Sequence, residues 1–164
     1  MSFQYAAFRR QAITVKMAVS AISAANALKN LDAEIPDWDF EKVREQTKAK
    51  WDKELSRIQL VEGTPEEKET FYTAMYHCFQ APNLYQDVTG EYRGLDSNIH
   101  KAEGFQNHAV FSLWDTYRAL HPLLTIVQPE QRNNDIVQSL LAARRESPYG
   151  VLPVWAFHGQ ETWC

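Results

Sequence analysis

Three residues close together in the sequence have side chains suited to binding a hydroxyl-rich ring. Trp114, Asp115 and Arg118 lie within the stretch WDTYR. On a helix, Asp115 and Arg118 would share a face because they are three residues apart. Their charged groups could hydrogen-bond hydroxyls while the indole of Trp114 stacks on an apolar ring face. A surface Asp–Arg pair beside a core tryptophan explains the same spacing, so both interpretations stay open.

A second segment surrounds a carboxylate with aromatic residues. Glu161 lies between Trp155 and Trp163, and His158 is in the same stretch. A surrounding of low dielectric raises the pKa of a carboxyl group, which suits a general acid near neutral pH. A solvated loop glutamate fits the same composition. Nothing in the spacing shows whether Glu161 and Asp115 face one another, as the two carboxyl groups of a glycosidase would.

Metal binding is a further interpretation of the same residues. His158, Glu161 and Cys164 are spaced three apart, and His77 and Cys78 add two more possible ligands. None of these spacings matches a recognised zinc motif. Ordinary loop or core residues explain them without a metal.

Length and composition exclude several classes of protein. The 164 residues carry a net charge of −4, with both signs mixed along the chain. This distribution provides no basic face for nucleic acid. No apolar run reaches the roughly 18 residues of a membrane helix. Two cysteines are too few for a disulfide framework. We therefore expect a globular domain with no nucleic-acid partner and no membrane span.

The elements that would position the two segments are mainly helices. Helical periodicity and capping residues predict the helices 23–31, 40–58, 64–79, 112–127 and 129–146. The second of these shows an apolar stripe that we expect to be buried: Phe40, Val43, Thr47, Trp51, Leu55 and Ile58. Thr64 and Pro65 form a strong helix start, and Pro122 must kink or split the helix that contains it.

Two segments favour extended structure. Ile13, Val15, Met17 and Val19 alternate with more polar residues, which predicts a half-buried strand. A lone strand leaves backbone groups unsatisfied, so we expect its partner outside the chain. Residues 83–100 are aromatic and polar without helical period, and they predict a hairpin or ordered loop around Thr89 and Gly90.

Several segments, in order along the chain, closely resemble glycoside hydrolase family 92. They are WDFEKVR (38–44), FYTAMYHCFQAP (71–82), YRGL (92–95), FSLWDTYRALHPLL (111–124) and SPYGVLPVWAFHGQETWC (147–164). Residues 15–31 also resemble the family's junction segment. The resemblance covers residues 13–164, and the number of ordered motifs makes it specific.

This resemblance implies a calcium-dependent exo-α-mannosidase with a β-sandwich followed by an (α/α)6 barrel. Residues 1–20 would be the end of the sandwich or its exit strand, and residues 21–36 a connecting helix. Residues 37–164 would be the first part of the catalytic barrel. The expected fold is therefore mainly α, preceded by a strand that belongs to a missing sandwich.

The resemblance also implies roles for individual residues. Glu161 matches the general acid, and Asp115 matches a carboxylate that binds the terminal mannose. Trp114 and Arg118 would support Asp115, and His158 would lie at the rim of the site. The substrate would be terminal α-linked mannose, chiefly α-1,2, of N-glycans or mannans, cleaved with inversion. The resemblance also implies that the catalytic base lies after residue 164, so we expect this chain, with the general acid and without the base, to be inactive. The resemblance assigns no calcium ligand to any residue of this chain.

Expectations about location and association complete this interpretation. The family resemblance implies a secreted, periplasmic or cell-surface protein of a bacterium. Apolar surface on residues 13–19 or 151–163 predicts self-association of the chain. The alternatives are a stand-alone helical sugar-binding or protein-interaction module without catalysis, and a different helical-barrel glycosidase or lyase.

Overall fold

The computed structural model describes residues 13–109 and 112–152. Within them lie six helices: α1 (Ala24–Glu34), α2 (Phe40–Leu55), α3 (Pro65–Cys78), α4 (Leu113–Thr116), α5 (Leu120–Val127) and α6 (Glu130–Glu146). A two-stranded antiparallel sheet joins β1 (Glu91–Arg93) to β2 (Ile99–Lys101). The prediction of a mainly helical chain is confirmed. In the described part of the chain, no helix has the length and apolar character needed to cross a membrane.

Side-chain caps fix the starts of the first three helices. Ser23 accepts a hydrogen bond from the backbone N–H of Asn26 at 3.1 Å, and Asp39 accepts one from Lys42 at 3.0 Å. Thr64 forms a full capping box at the start of α3. Its hydroxyl accepts from the Glu67 N–H at 3.3 Å, and the Glu67 carboxylate accepts from the Thr64 N–H at 2.8 Å. Each cap satisfies N–H groups that have no partner inside the helix.

Thr64→Ala is therefore expected to lower the free energy of unfolding of this chain by about 1 kcal/mol. Urea denaturation followed by circular dichroism measures the change. Thr47→Ala is the matched control, because Thr47 is exposed within α2 and caps nothing. Equal effects of the two substitutions would contradict the role of the cap.

The predicted buried stripe of α2 is wrong. No residue of α2 is buried in the described structure, and Phe40 is 65% exposed. The helix contacts α3 near its C-terminal end, where the rings of Trp51 and Tyr76 lie 4.6 Å apart. Ion pairs within the helix, such as Lys48–Asp52 at 2.5 Å, occupy its surface. Periodicity correctly predicted the helix, but no described element covers the rest of its apolar face.

The predicted hairpin has a different turn. An ordered turn does lie at Thr89–Gly90, as the ordered-loop alternative predicted: the Gly90 N–H donates to the Asp87 carbonyl and the Asp87 N–H donates to the Glu91 carbonyl, each at 2.8 Å. The strand ladder of β1 nevertheless forms with β2, so the tip lies at residues 94–98. The segment before Thr89 does not pair with β1 along its length. It contacts a later loop instead, where the N–H of Tyr85 donates to the carbonyl of Asn107 at 2.8 Å.

The small apolar core lies where α5 and α6 meet. Buried Leu124 and Ile136 form its centre, and half-buried apolar side chains pack against them: Phe79, Leu113, Leu120 and Leu140. Pro122 is the third residue of α5, and its ring is incompatible with a helical carbonyl four residues earlier. The predicted split is confirmed, with α4 ending at Thr116 and α5 beginning at Leu120.

Residues 13–20 belong to no helix or strand of the described structure. Their apolar side chains face solvent, with Met17 81% and Val19 87% exposed. The more polar Lys16 and Ser20 are half-buried. The predicted half-buried strand, its partner and the domain boundaries therefore stay predictions.

Candidate functional site

The predicted ligand-binding residues Trp114 and Asp115 lie on α4, a single helical turn at the surface. The Thr116 hydroxyl donates to the carbonyl of Ser112 at 2.7 Å and closes this turn. Trp114 is 72% exposed, so it is not the core tryptophan of the alternative interpretation. Its ring is accessible for stacking on an apolar sugar face.

Arg118 does not share a helical face with Asp115, contrary to the prediction. The helix ends at Thr116, because the chain must break before Pro122. Arg118 instead donates through Nε to the Tyr117 hydroxyl at 2.6 Å, and its guanidinium carbon lies 5.3 Å from the Tyr117 ring centroid. In the part of the chain that the structure describes, Asp115 forms no ion pair with Arg118. Its exposed carboxylate is thus available to accept hydrogen bonds from a ligand.

Glu161, His158 and Cys164 lie outside the described residues, so their predicted roles stay predictions. Among the residues that are described, no group of three or more His, Cys, Asp and Glu side chains could hold a metal ion. Cys78 is a half-buried free thiol. The suggested metal site with His77 and Cys78 therefore has no support from the described geometry.

Sequence reasoning missed a buried polar network centred on Asp87, which is only 5% exposed. One of its carboxylate oxygens accepts from the Ser20 hydroxyl at 2.6 Å and from the Asn26 amide at 2.9 Å. The other oxygen accepts from the Asn30 amide at 2.8 Å. The Asn26 amide also donates to Glu91 at 2.9 Å. We call these five residues the Asp87 network; they join α1 and the segment before it to the hairpin.

The network keeps Asp87 ionised despite its burial. Burial alone would raise the pKa of this carboxyl, but the hydrogen bonds from Ser20, Asn30 and Asn26 together outweigh it and hold the pKa below 3.8. One sequence signal was available. Asn26 and Asn30 are four residues apart, so they share one face of α1, and both are buried.

A second buried link fastens the hairpin to the end of α6. The Tyr92 hydroxyl donates to the Glu146 carboxylate at 2.6 Å, and the His100 ring stacks on Tyr92 with 5.8 Å between centroids. Burial first, and then the Glu146 carboxylate, raises the pKa of Tyr92. A Cβ atom at Gly94 would lie 2.6 Å from His100 and 2.7 Å from Glu146, which explains the glycine of the YRGL motif.

These two links hold the hairpin against two different helices. The hairpin lies between α1 and the C-terminal residue of α6, after which the chain continues toward Glu161. On α4, the indole of Trp114 and the carboxylate of Asp115 are both exposed. The described residues alone assign no pair of catalytic carboxylates.

The chain is similar to known proteins in both sequence and structure. Residues 26–164 match a family model described as the catalytic domain of glycosyl hydrolase family 92. A family GH92 α-mannosidase from Bacteroides thetaiotaomicron is 48% identical with a TM-score of 0.82, over 88% of this chain and 19% of that one. The same enzyme in complex with mannoimidazole gives a TM-score of 0.81 at 48% identity, with the same coverage of both chains.

More distant relatives agree with these matches. A GH92 family glycosyl hydrolase is 28% identical with a TM-score of 0.71, over 79% of this chain and 18% of that one. A protein of Arthroderma benhamiae, described as an uncharacterised secreted glycosidase, is 31% identical over 122 residues, or 72% of this chain and 15% of the relative. The chain thus spans about a fifth or less of the length of the relatives it matches.

Proposed function

The chain belongs to glycosyl hydrolase family 92, and on that premise we propose that it forms part of the catalytic domain of an α-mannosidase. The observation that carries this proposal is the match over residues 26–164 together with the similar fold of an α-mannosidase. By the family's architecture, residues 37–164 are the first part of an (α/α)6 barrel. Residues 1–20 belong to, or leave, a β-sandwich.

The proposed substrate is a glycan with terminal α-linked mannose, chiefly α-1,2, as in N-glycans and mannans. The complex of the Bacteroides enzyme with mannoimidazole supports a mannose-like ligand. Trp114 stacks on the sugar ring, and Asp115 accepts hydrogen bonds from its hydroxyls. Their exposure on α4 supports these roles. Arg118 and His158 contribute at the edge of the same site.

The proposed reaction inverts the anomeric configuration. Glu161 protonates the leaving glycosidic oxygen, while a carboxylate base activates water on the opposite face of the sugar. In inverting enzymes these two carboxyl groups stand about 6.5–9.5 Å apart, which leaves room for the water. We assign no base to this chain, so the activity is that of the longer protein.

We also propose that the longer protein requires calcium. The described residues fit no calcium site, since they contain no cluster of three or more acidic or histidine ligands. We therefore expect the ion to be held by other residues. Chelation with EGTA should abolish mannose release by the longer protein, and added calcium should restore it. Full activity in EGTA would contradict the requirement.

Secretion and self-association are parts of the proposal with separate support. The relative described as secreted supports an extracytoplasmic location. The secreted, periplasmic or cell-surface location in a bacterium rests on the family resemblance alone. The exposed apolar residues of the 13–19 segment support association of this chain with itself. Light scattering at micromolar concentration tests the association, and a monomer would contradict it.

Asp115→Ala in the longer protein tests the proposed binding site. We expect it to lower kcat/KM about 10–100-fold for every leaving group alike, because a lost hydrogen bond to a charged group costs about 1.5–3 kcal/mol. Mannoimidazole should bind more weakly by a similar factor. Steady-state kinetics with activated and natural mannosides, and inhibition by mannoimidazole, measure both effects.

Asp52→Ala is the matched control, since Asp52 is an exposed carboxylate of α2 whose partner is Lys48. It should leave kinetics and inhibition unchanged. If Asp115→Ala leaves the affinity for mannoimidazole unaltered, Asp115 is an ordinary surface residue with no role in binding the sugar. Binding without hydrolysis in the parent protein would favour the non-catalytic sugar-binding alternative.

A further inference from the structure

We propose that a polar pocket beside the N-terminal half of α6 is a second sugar-binding site, separate from the surface of α4. The pocket has a volume of about 310 Å³. One wall is the loop Glu103–Phe105. The opposite wall is formed by Gln131, Asn134, Asp135 and Gln138 of α6.

The helical wall presents four polar side chains in one line. Residues 131, 134, 135 and 138 follow the spacing of one helix face, so three carboxamides and one carboxylate face the loop together. Across the described residues, the side chains of Asn134 and Gln138 form no hydrogen bond. Both are exposed and therefore available to a ligand.

Asp135 is the most unusual residue of the pocket. It is only 3% exposed, and it pairs with no lysine or arginine in the described part of the chain. Oδ1 accepts a hydrogen bond from the Gln131 amide at 2.8 Å. Oδ2 has no such partner among the described residues. Oδ2 can therefore accept a hydrogen bond from a ligand in the pocket.

The side chains that line the pocket favour a ligand that carries several hydroxyl groups. A carboxamide both donates and accepts hydrogen bonds, and a carboxylate accepts them, which matches the neighbouring hydroxyls of a sugar. The half-buried ring of Phe105 adds an aromatic surface. A divalent cation fits less well, because only Glu103 and Asp135 carry charge and the Gln131 amide directs a donor at Asp135. The volume lies at the lower end of ligand pockets, which suits a single sugar ring.

A second site would hold one arm of a branched glycan while another arm is cleaved. Two linked binding events raise the effective concentration of the second arm without any new contact. Only the choice of mannose as ligand rests on the proposed function; the pocket itself does not.

The test is a ¹⁵N–¹H NMR titration of this chain with methyl α-D-mannopyranoside. The side-chain NH₂ signals of Gln131, Asn134 and Gln138 report directly on the pocket. We expect saturable shifts of these signals with a millimolar dissociation constant. Asn134→Ala combined with Gln138→Ala should weaken binding about tenfold, because each lost hydrogen bond costs roughly fivefold in affinity or less. Alanine is a good helix former, so α6 should persist.

Gln46→Ala, which removes an exposed amide from α2, is the matched control and should leave the affinity unchanged. The proposal is overturned if the double variant binds as well as wild type, or if the sugar shifts none of the three amide signals. It is also overturned if calcium chloride alone produces the shifts. Shifts at Trp114 without shifts in the pocket would refute the second site while supporting the proposed function.

Discussion

Glu161→Gln in the longer protein is expected to lower turnover of α-1,2-mannobiose by about 10²–10⁴-fold, the usual contribution of a general acid. The amide is nearly isosteric with the carboxylic acid but cannot protonate the leaving oxygen. The loss should be small for mannosides with activated leaving groups, since these need little protonation. Affinity for mannoimidazole should change little. Steady-state kinetics over a series of leaving groups measures the effect.

Glu69→Gln is the matched control, because Glu69 is an exposed carboxylate of α3. It should leave both classes of substrate unaffected. Wild-type turnover of the disaccharide in Glu161→Gln would remove Glu161 from the mechanism. A loss that is equal for all leaving groups would indicate a binding role instead.

Asp87→Ala is expected to destabilise this chain by about 3 kcal/mol or more. The substitution removes the acceptor of three hydrogen bonds, from Ser20, Asn26 and Asn30, and a buried group left unsatisfied costs about 1–3 kcal/mol. Because whole domains are stable by only about 5–15 kcal/mol, the loss should be large in a urea unfolding curve. Asp32→Ala is the control on α1, since Asp32 is exposed. A similar small effect of both substitutions would contradict the role of the network.

The same network predicts a dependence on pH. The pKa of Asp87 is lower in the folded chain than its ordinary value of 3.8. Its contribution to the free energy of unfolding is therefore fully present above that value and is lost as the pH falls through the folded pKa. The stability difference between wild type and Asp87→Ala should be constant from pH 5 to 7 and shrink below about pH 4. A difference that grows on acidification would refute the lowered pKa.

Helix starts were predictable because their signals are local. The caps at Ser23, Asp39 and Thr64 each involve residues within three positions of one another. The buried stripe of α2 was not predictable in the same way. Periodicity tells which side chains share a face, but whether that face is covered depends on elements far away in the sequence. The exposed Phe40 illustrates this limit.

In the candidate site, too, local features were predictable from the sequence and long-range contacts were not. The family motifs identified Trp114 and Asp115, and the structure adds that both are exposed on α4. The expected Asp115–Arg118 face failed because Pro122 ends helical geometry before Arg118. The Asp87 network joins residues that are 57 to 67 positions apart. No local pattern contains such a partnership, and only the pair Asn26 and Asn30 hinted at it.

The Asp87 network and the Tyr92–Glu146 hydrogen bond also determine the order in which parts of this chain can fold during synthesis. Glu91, the acceptor of the Asn26 amide, is synthesised 65 residues after Asn26. Glu146, the acceptor of the Tyr92 hydroxyl, is synthesised 54 residues after Tyr92. Contacts of such long sequence separation are reached late, because the entropy of closing the intervening loop is lost before the contact forms. The capped helices α1 to α3 can form as they leave the ribosome. The hairpin can contact both α1 and α6 only after the last turn of α6 has emerged. In a nascent chain that pauses before Glu146, the Tyr92 hydroxyl therefore lacks its hydrogen-bond acceptor.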